Sequence, residues 1–470
     1  MHTTFSYFCL RIMSETITIR KGLDLPIGGA AERRLTDARN ITTYAVKPVD
    51  FVGLTPKLLV EEGNAVTVGG ALFCDKNDER IRFTSPVNGL VKSIVRGEKR
   101  KVLAVVVEER EVEKPSPMVI NGIKEALLQS GLWTLIRQRP FGTVACPDDQ
   151  PKAIFVSAFS SAPLAPDDDF IMQGREAFLK KGLEALTQLT DGQVHICYRP
   201  NQRLAKQLST LNSQLSTHFI KGPHPAGNVG TQIAQIDPIN KGEVVWTIQL
   251  QDVAVLGELL STGIYNPEKV IAVAGPNIKN PHYYRVKAGA CLKDITAAQL
   301  LNADYPEMET PDLSGKNRII SGDILSGTQI DADGFLGAYD DLVSILPEGD
   351  YYDFMGWLMP GFRKFSFSRT FLSGFLPRFS SFCKFDTNTH GDERPLVFTG
   401  DFERVFPFDI YPTQLIKACI VGDIELMENL GIYEVEPEDF ALCEFIDTSK
   451  TNIQQIIREA LEKIRKEEVG

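Results

Sequence analysis

Between residues 60 and 95, apolar positions occur in short runs that are separated by turn-forming residues. Gly-Asn at 63–64, Gly-Gly at 69–70 and Pro-Val-Asn-Gly at 86–89 punctuate these runs. Short apolar runs divided by such turns are typical of tightly connected β-hairpins. The pattern therefore predicts a compact all-β unit, with a last strand at Lys101–Val107. The apolar positions are Val60, Val66, Val68, Leu72, Phe73, Val87, Leu90, Val91, Ile94 and Val95.

The same stretch contains V-x-x-G-x-x-V-x-x-G-x-x-L-F followed by S-P-x-x-G-x-V. This spacing resembles the flattened barrel of biotin- and lipoyl-carrier domains, in which a lysine at a hairpin tip carries the cofactor. The corresponding tip, Cys74–Glu79, offers Lys76 without a Met-Lys-Met or Asp-Lys-Ala setting. We therefore expect Lys76 to be an unmodified turn lysine, and a lipoylated or biotinylated lysine is the alternative.

Residues 122–276 alternate between strand and helix patterns. The run Lys152–Phe159 is continuously apolar, and Asp169–Leu189 carries apolar residues at helical spacing. Strands alternating with helices predict an α/β layer with parallel strands. The other predicted elements are strands at Val194–Tyr198, His218–Ile220, Val244–Leu250 and Lys269–Ala274, and helices at Leu204–Leu215 and Val253–Leu260.

Beyond residue 276 the pattern changes twice. Residues 277–350 carry short strands separated by turns, which predicts a small α+β domain, and residues 351–400 are aromatic-rich with weak periodicity. The chain then becomes helical: Tyr411-Pro412-Thr413 is expected to open one helix. The final helix is predicted from one apolar stripe with charged residues opposite. That stripe consists of Ile453, Ile456, Ile457, Leu461 and Ile464.

Composition narrows the class of protein. A chain of 470 residues predicts three or four domains. Its net charge of −11 disfavours non-specific binding to nucleic acid or anionic lipid. Since the sequence contains no run of 18 apolar residues, we expect no membrane-spanning segment. The first 13 residues make a poor signal peptide, and we expect translation to begin at Met13.

Several chemistries lack their sequence signatures. The eight cysteines are dispersed, which excludes a local Cys-x-x-Cys motif, and we expect reduced thiols. The six histidines form neither H-x-x-x-H nor H-E-x-x-H, so no metal site is predicted. The sequence also lacks the G-x-S-x-G elbow of hydrolases.

Two short segments are candidate ligand contacts. The segment 133–141 combines two arginines with two large aromatics, which suit a planar, weakly polar ligand because rings supply faces and guanidiniums polarise carbonyls. The alternative is a helix with a core tryptophan and solvated arginines. The loop 51–54 is apolar and follows a carboxylate. It is either a second wall of the ligand site or an ordinary part of the hydrophobic core. The candidate residues are Phe51, Val52, Gly53, Leu54, Trp133, Arg137, Arg139 and Phe141.

Two glycine-containing loops are weaker candidates. Gly222–Thr231 follows a predicted strand, and a Gly-x-x-Gly turn before a helix can hold an anion on free backbone N–H groups. It is neither G-x-G-x-x-G nor a P-loop, so we interpret it as a structural turn, with phosphate binding as the alternative. Ser326-Gly327-Thr328 superficially resembles a flavin-phosphoester site but lacks the expected alanine, and we interpret it as a turn.

The order of these units is similar to that in the A subunits of the sodium-translocating NADH:quinone oxidoreductases, over nearly all of residues 13–470. Many collinear motifs carry the resemblance. They are ITIRKGLDLPIGG (17–29), FTSPVNGLV (83–91), SGLWTLIRQRPF (130–141), KAIFVSAF (152–159), GPHPAGNVGTQIAQIDP (222–238), RIISGDILSG (318–327), FLGAYDDLVSILPEG (335–349), KFSFSRTFLS (364–373) and ERVFPFDIYPTQL (403–415).

The resemblance implies a multidomain α/β and α+β protein. A lipoyl/biotinyl-like β barrel-sandwich would occupy 14–114, and a Rossmann-like α/β layer without a nucleotide fingerprint 115–254. A β-grasp, SLBB-like domain would follow at 255–350, and a helical domain at 351–470. The implied role is that of a peripheral component on the cytoplasmic face of the bacterial inner membrane. Its partners would be the membrane-embedded quinone-reductase subunits and quinone.

The resemblance also bears on cofactors. Related flavin-binding subunits have a glycine-rich loop after Ser-Gly-Leu, whereas here bulky residues follow Ser130-Gly131-Leu132 and keep backbone N–H groups away from a phosphate. Those relatives also ligate an iron–sulfur cluster through clustered cysteines, which this chain lacks. We therefore expect this chain to bind no cofactor, with flavins and iron–sulfur centres in other subunits. The alternatives are a purely structural role in the same complex and a free-standing nicotinamide or flavin enzyme.

Overall fold

The computed structural model describes residues 16–38, 40–110, 117–208, 214–300, 317–351, 360–361, 364–374 and 385–469. The strands in chain order are β1 Thr16–Thr18, β2 Glu32–Asp37, β3 Thr43–Val46, β4 Pro56–Leu58, β5 Ala65–Val66, β6 Ala71–Asp75, β7 Arg82–Thr84, β8 Gly89–Arg96, β9 Val102–Glu109, β10 Arg137–Arg139, β11 Thr143–Val144, β12 Ala153–Ser157, β13 Gln193–Tyr198, β14 Leu215–Lys221, β15 Val245–Thr247, β16 Glu268–Ala274, β17 His282–Lys287, β18 Asn317–Ser321, β19 Thr328–Ile330 and β20 Leu342–Pro347.

The α-helices are α1 Ile123–Ser130, α2 Asp168–Ile171, α3 Glu176–Leu186, α4 Arg203–Leu208, α5 Val229–Ile236, α6 Leu250–Thr262, α7 Lys293–Gln299, α8 Phe402–Val405, α9 Pro412–Val421, α10 Ile424–Asn429, α11 Ala441–Ile446 and α12 Ile453–Val469. Short 3₁₀ turns connect several of them. Two of these turns, Leu132–Leu135 and Pro437–Phe440, border the candidate site.

The N-terminal β unit is a sandwich of two small sheets. One sheet has the order β3-β9-β8-β5 and the other β4-β6-β7. The alternating runs fold this way because their apolar sides meet between the sheets, where Phe73 and Phe83 stack with ring centroids 4.7 Å apart. The tip between β6 and β7 carries Lys76, which is exposed.

The first two strands leave this sandwich. β1 pairs in parallel with β14, and β2 pairs in parallel with β17. Both lie within the predicted β domain at 14–114, yet each extends a sheet of another domain. The N-terminal segment therefore ties the β sandwich to the two following domains through backbone hydrogen bonds.

The second sheet has the order β1-β14-β13-β12-β15-β10-β11. The first five strands in this order are parallel to one another, whereas β10 is antiparallel to both β15 and β11. Successive side chains of β12 point alternately into two different hydrophobic cores. Phe155 packs with Ile233 of α5, whereas Ile154 and Val156 join the core that contains α3 and α6. Helices thus cover both faces, which explains why the strand is apolar throughout.

Two predicted boundaries in this layer differ from the observed ones. The helix predicted over Asp169–Leu189 is divided into α2 and α3, since Gly174 between them adopts φ 84°. The predicted division after residue 254 falls inside α6, which packs against α3. Because a helix buried against another belongs to the same layer, the α/β layer extends to the end of α6.

The third sheet has the order β19-β18-β20-β16-β17-β2. It shares one continuous apolar core with the β sandwich and the α/β layer.

The helical domain has a separate core that includes Phe406, Phe440 and Leu461. Pro412 stands at the first turn of α9, as Tyr411-Pro412-Thr413 predicted. In α12 the stripe residues Ile453, Ile457, Leu461 and Ile464 are buried. No helix in the described ranges combines the length and apolarity needed to span a bilayer.

Candidate functional site

A cavity of about 390 Å³ lies where the α/β layer, the third sheet and the helical domain meet. Its floor includes residues just beyond the carboxyl ends of β12 and β15, such as Phe159 and Ile248. In open α/β layers this edge of the sheet is where ligands bind, because the loops diverge there and leave a crevice. The cavity is therefore the candidate site.

Strand β10 directs one predicted arginine into this cavity. Because side chains alternate along a strand, Arg137 and Arg139 share one side and Gln138 takes the other. On that other side, Gln138 lies near Trp246, whose Nε1 donates to its Oε1 at 3.3 Å. The alternative is wrong in its helix and its solvated arginines, since residues 137–139 form a strand and Arg139 is buried, whereas its core tryptophan is confirmed by the buried Trp133.

Arg137 is held by an aromatic ring. Its guanidinium carbon lies 4.9 Å from the ring centroid of Tyr339, within the range of a cation–π contact. Within the part of the chain that the structure describes, the guanidinium makes no hydrogen bond or ion pair. Burial lowers the pKa of Arg137, but Glu438 and Glu436 outweigh this and raise it, so the group stays charged. Arg137 thus lines the cavity with unused donors.

Tyr339 is fixed on three sides. Its hydroxyl donates to the carbonyl of Thr134 at 2.8 Å, and its carbonyl accepts from Nε2 of Gln249 at 2.6 Å. Phe51 packs edge-on against the ring with centroids 5.6 Å apart. Phe51 is therefore buried behind Tyr339 and shapes the site indirectly.

The other residues of the loop 51–54 contact different parts of the protein, and Val52 approaches the strand that follows the candidate segment. Val52 forms a bridge to Thr143, while Leu54 packs on the main core. Gly53 adopts φ 72°, and a Cβ there would meet the guanidinium of Arg465 at 2.7–3.0 Å. The two predicted segments are thus neighbours, although this loop does not line the cavity.

Arg139 points to the helical domain instead of the cavity. It forms ion pairs with Glu436 at 3.3 Å, Glu438 at 2.7 Å and Asp439 at 3.0 Å. These three carboxylates raise the pKa of Arg139 against the effect of burial. All its nitrogen atoms are engaged, so the structure assigns Arg139 to the contact between domains.

The two predicted aromatic residues are also committed to packing. Trp133 is fully buried, donates from Nε1 to the carbonyl of Ala145 at 2.8 Å and packs edge-on against Trp246. Phe141 packs against Tyr433 of the helical domain, and its carbonyl accepts from Arg458 at 2.8 Å. Of the 133–141 segment, Arg137 lines the cavity and the other three candidates support it.

The loop Gly222–Thr231 reaches the same cavity. Asn228 precedes α5, and its carboxamide forms no hydrogen bond with the described residues. His224 also lines the cavity, with Nδ1 3.1 Å from Oγ of Ser161, and burial lowers its pKa. The loop glycines are required for close packing: a Cβ on Gly230 would lie 2.6 Å from Nη1 of Arg139.

Carboxyl groups make much of the remaining wall. Burial raises the pKa of Asp341 to about 6, and burial together with Asp341 raises the pKa of Asp168. Although burial opposes ionisation, Arg139 and Arg137 lower the pKa of Glu438. The acidic residues that line the cavity are Asp168, Asp323, Asp340, Asp341, Glu436 and Glu438.

Sequence patterns missed two important members of this wall. Tyr339 and Glu438 stand about 200 and 300 positions from Arg137, and no local motif connects them. Ser326, part of the weak Ser-Gly-Thr motif, lines the cavity and donates to Asp323. Among the described residues, no group of three histidine, cysteine or carboxylate side chains is arranged to hold a metal ion.

Comparison with known families gives three matches along the chain. Residues 17–110 match the NqrA N-terminal barrel-sandwich hybrid domain, residues 118–265 the NqrA second alpha/beta domain, and residues 270–307 the NQRA C-terminal domain, which is of the SLBB type. The first and third matches confirm the predicted barrel-sandwich and SLBB-like domains. The second match confirms an α/β domain.

Full-length relatives share the same name. The chain is 39% identical over 464 residues to the A subunit of the Na(+)-translocating NADH-quinone reductase of Serratia proteamaculans, covering 96% of this chain and 100% of that protein. The proteins of that name from Yersinia pseudotuberculosis and Neisseria meningitidis serogroup B are each 37% identical over 462 residues, with the same coverage.

Two solved structures show a distant likeness to this chain. A chain of an NAD+-reducing [NiFe]-hydrogenase in the air-oxidized state aligns with a TM-score of 0.32 and 14% identity, covering 67% of this chain and 57% of that one. A second, in the H2-reduced state, has a TM-score of 0.33 and 13% identity, covering 67% and 55%. These values are too low to support an inference about function.

Proposed function

This chain belongs to the family of A subunits of the Na(+)-translocating NADH-quinone reductases, and from that membership we propose that it binds quinone as a peripheral subunit of such a complex. Its partners are the other subunits, chiefly the membrane-embedded quinone-reductase subunits, and it docks on the cytoplasmic face of the membrane. It holds no redox cofactor itself, and electrons reach the quinone from flavins and an iron–sulfur centre in other subunits.

The observation that carries the proposal is the unused guanidinium of Arg137 over the ring of Tyr339. A quinone head is planar, neutral and bears two carbonyl oxygens, so it needs apolar or aromatic walls and a donor for each oxygen. Arg137 and the carboxamide of Asn228 are two such donors, supplied by β10 and by the start of α5. Phe159 and Leu325 add apolar wall.

The charge of the cavity supports a neutral ligand. A flavin nucleotide carries phosphate, and phosphate sites supply cationic groups or free backbone N–H groups. Here several carboxylates line the wall, and the segment that replaces the glycine-rich loop places bulky side chains on a 3₁₀ turn and β10. Repulsion by these carboxylates disfavours a phosphate-bearing cofactor, whereas a neutral quinone is unaffected.

Calorimetric titration with a water-soluble ubiquinone head group tests the proposal, using both the full chain and the assembled complex. Saturable binding to the full chain, with no binding of flavin mononucleotide, is the expected result. Binding by the complex without binding by the chain would favour a purely structural subunit. Tight flavin binding by the chain would favour a flavin enzyme.

A further inference from the structure

A second cavity adjoins the first. It measures about 520 Å³ and lies between residues 364–371 and 385–390 on one side and the end of α11 on the other. Leu325 and Ala441 line both cavities and so form a partition that the two spaces share. Gln454 lines the first cavity and fixes this partition, since its Nε2 donates to the carbonyl of Leu325 at 3.0 Å.

Five phenylalanines share the wall of the second cavity with polar and charged residues. Phe365 lies 5.6 Å from Phe385 and 5.8 Å from Phe445 between ring centroids. These rings are half-buried, so part of each face is open to the cavity. The lining phenylalanines are Phe365, Phe367, Phe371, Phe385 and Phe445. A wall of this kind favours a hydrocarbon ligand, because each covered ring face removes apolar surface from water.

Several polar residues of this cavity are already engaged by the protein. Thr387 donates from Oγ1 to Glu348 at 2.6 Å, and the carboxamide of Asn388 donates to the carbonyls of Gly349 and Tyr351. Ser366 is hydrogen-bonded to Ser368 and accepts from the backbone N–H of Thr370. These groups are therefore occupied, and the half-buried rings of Phe365, Phe385 and Phe445 supply apolar surface to the cavity.

We propose that the second cavity holds the isoprenoid side chain of the quinone whose head occupies the Arg137 cavity. This inference rests on the proposed function, since it requires a quinone head in the first cavity. The head contacts polar donors, and the side chain crosses the partition at Leu325 and Ala441 to reach the phenylalanine wall. An unsaturated hydrocarbon chain suits that wall, and the shared partition at Leu325 and Ala441 places the wall beside the head.

The test compares two quinones that share the ubiquinone head, one without a side chain and one with two isoprenoid units. For the full chain, the side chain should strengthen binding by about tenfold or more, as expected for burial of several hydrocarbon groups. In Phe365→Ala and Phe445→Ala this gain should disappear, while affinity for the head alone stays unchanged. Phe398→Ala is the matched control, because this exposed ring lies outside the lining of either cavity.

A second variant tests the passage without removing a core ring. Ile324→Trp adds bulk beside the partition at a residue that lines the second cavity and not the first, and it should abolish the gain from the side chain while the head still binds. If the gain survives in all three variants, or never exists, the side chain lies elsewhere and the inference is wrong although the quinone proposal stands. If neither quinone binds the wild-type chain, both proposals are wrong.

Discussion

Nη1 of Arg139 lies 3.0 Å from Oδ2 of Asp439, although 300 positions separate the two residues. Asp439 also accepts the backbone N–H of Glu436 at 2.9 Å, so the carboxylate is shared between the end of β10 and the turn before α11. Burial raises the pKa of Asp439 to about 6, and Arg139 opposes that shift. This buried pair joins the α/β layer to the helical domain and forms one border of the Arg137 cavity.

Arg139→Ala should destabilise the protein strongly. Removing the guanidinium leaves three carboxylates without their partner, and loss of one member of a buried pair costs about 3–5 kcal/mol of unfolding free energy. Urea denaturation measures this loss. Arg33→Ala is the control, since the exposed pair of Arg33 with Asp167 is of a kind that contributes less than about 1 kcal/mol. Equal effects of the two substitutions would show that the buried cluster does not hold the domains together.

Gly230→Ala should also lower stability, despite the better helix propensity of alanine. The added Cβ would lie 2.6 Å from Nη1 of Arg139 and in contact with Asp439, and overpacking of this kind costs about 1–3 kcal/mol. The control is Gly28→Ala, because a Cβ on Gly28 meets no atom within 4 Å. A Gly230→Ala variant as stable as the wild type in thermal unfolding would remove the packing explanation for this glycine.

The paired histidines of β13 and β14 should make stability depend on pH. Nδ1 of His195 lies 2.9 Å from Nε2 of His218, and burial, followed by His218, lowers the pKa of His195 to about 4. The folded state binds a proton on His195 less readily than the unfolded state does. The free energy of unfolding therefore has its full value above about pH 6.5 as far as His195 is concerned, and it decreases as the pH drops towards 4. Between about pH 7 and about pH 5 the loss is about 2 kcal/mol.

The variant His195→Gln isolates this effect. It should be less stable than the wild type at about pH 7, because it alters the hydrogen bond to His218 and the stacking of the imidazole on Phe155. Its stability should nevertheless fall less than that of the wild type between about pH 7 and about pH 5. Denaturation of both proteins at both pH values gives the comparison. A wild-type and a variant curve with the same dependence on pH would exclude His195 as the responsible group.

Purified chain should be colourless and should carry no added mass on Lys76. The carboxylate-rich cavity and the replacement of glycines after Leu132 disfavour a flavin phosphate. A visible spectrum and an intact-mass measurement check the two parts. Stoichiometric flavin absorption, or a mass increase matching lipoyl or biotin, would contradict the corresponding part.

Local patterns predicted many of the elements, because each depends on neighbours in sequence. The continuous apolar run at 152–159 gave a strand buried on both faces, and the stripe from Ile453 to Ile464 gave α12. The helix predicted over 169–189 is wrong as a single element, because the apolar spacing continues past Gly174, whose positive φ lies in the turn between α2 and α3. Periodicity alone does not reveal such a break.

The site was predicted less completely, since its contacts join distant positions. Arg137 and Arg139 are two residues apart and chemically alike, yet one lines the cavity and the other is enclosed by three carboxylates. What separates their roles is the placement of Tyr339 and Glu436–Asp439, which only the folded chain brings to β10. Phe51 was linked to the segment 133–141 by composition alone, and the structure connects them through Tyr339.

The most direct test of the account is quinone binding and quinone reduction by Arg137→Ala in the assembled complex. If Arg137 donates to a quinone carbonyl, its removal should cost about 1–3 kcal/mol of binding, roughly a 5- to 150-fold loss of affinity. Quinone reduction should slow, whereas electron entry from NADH into the flavins should be unchanged. Arg285→Ala, which removes an exposed arginine of β17, should affect neither. Unchanged quinone affinity and reduction in a correctly folded Arg137→Ala complex would contradict the account and favour a purely structural role.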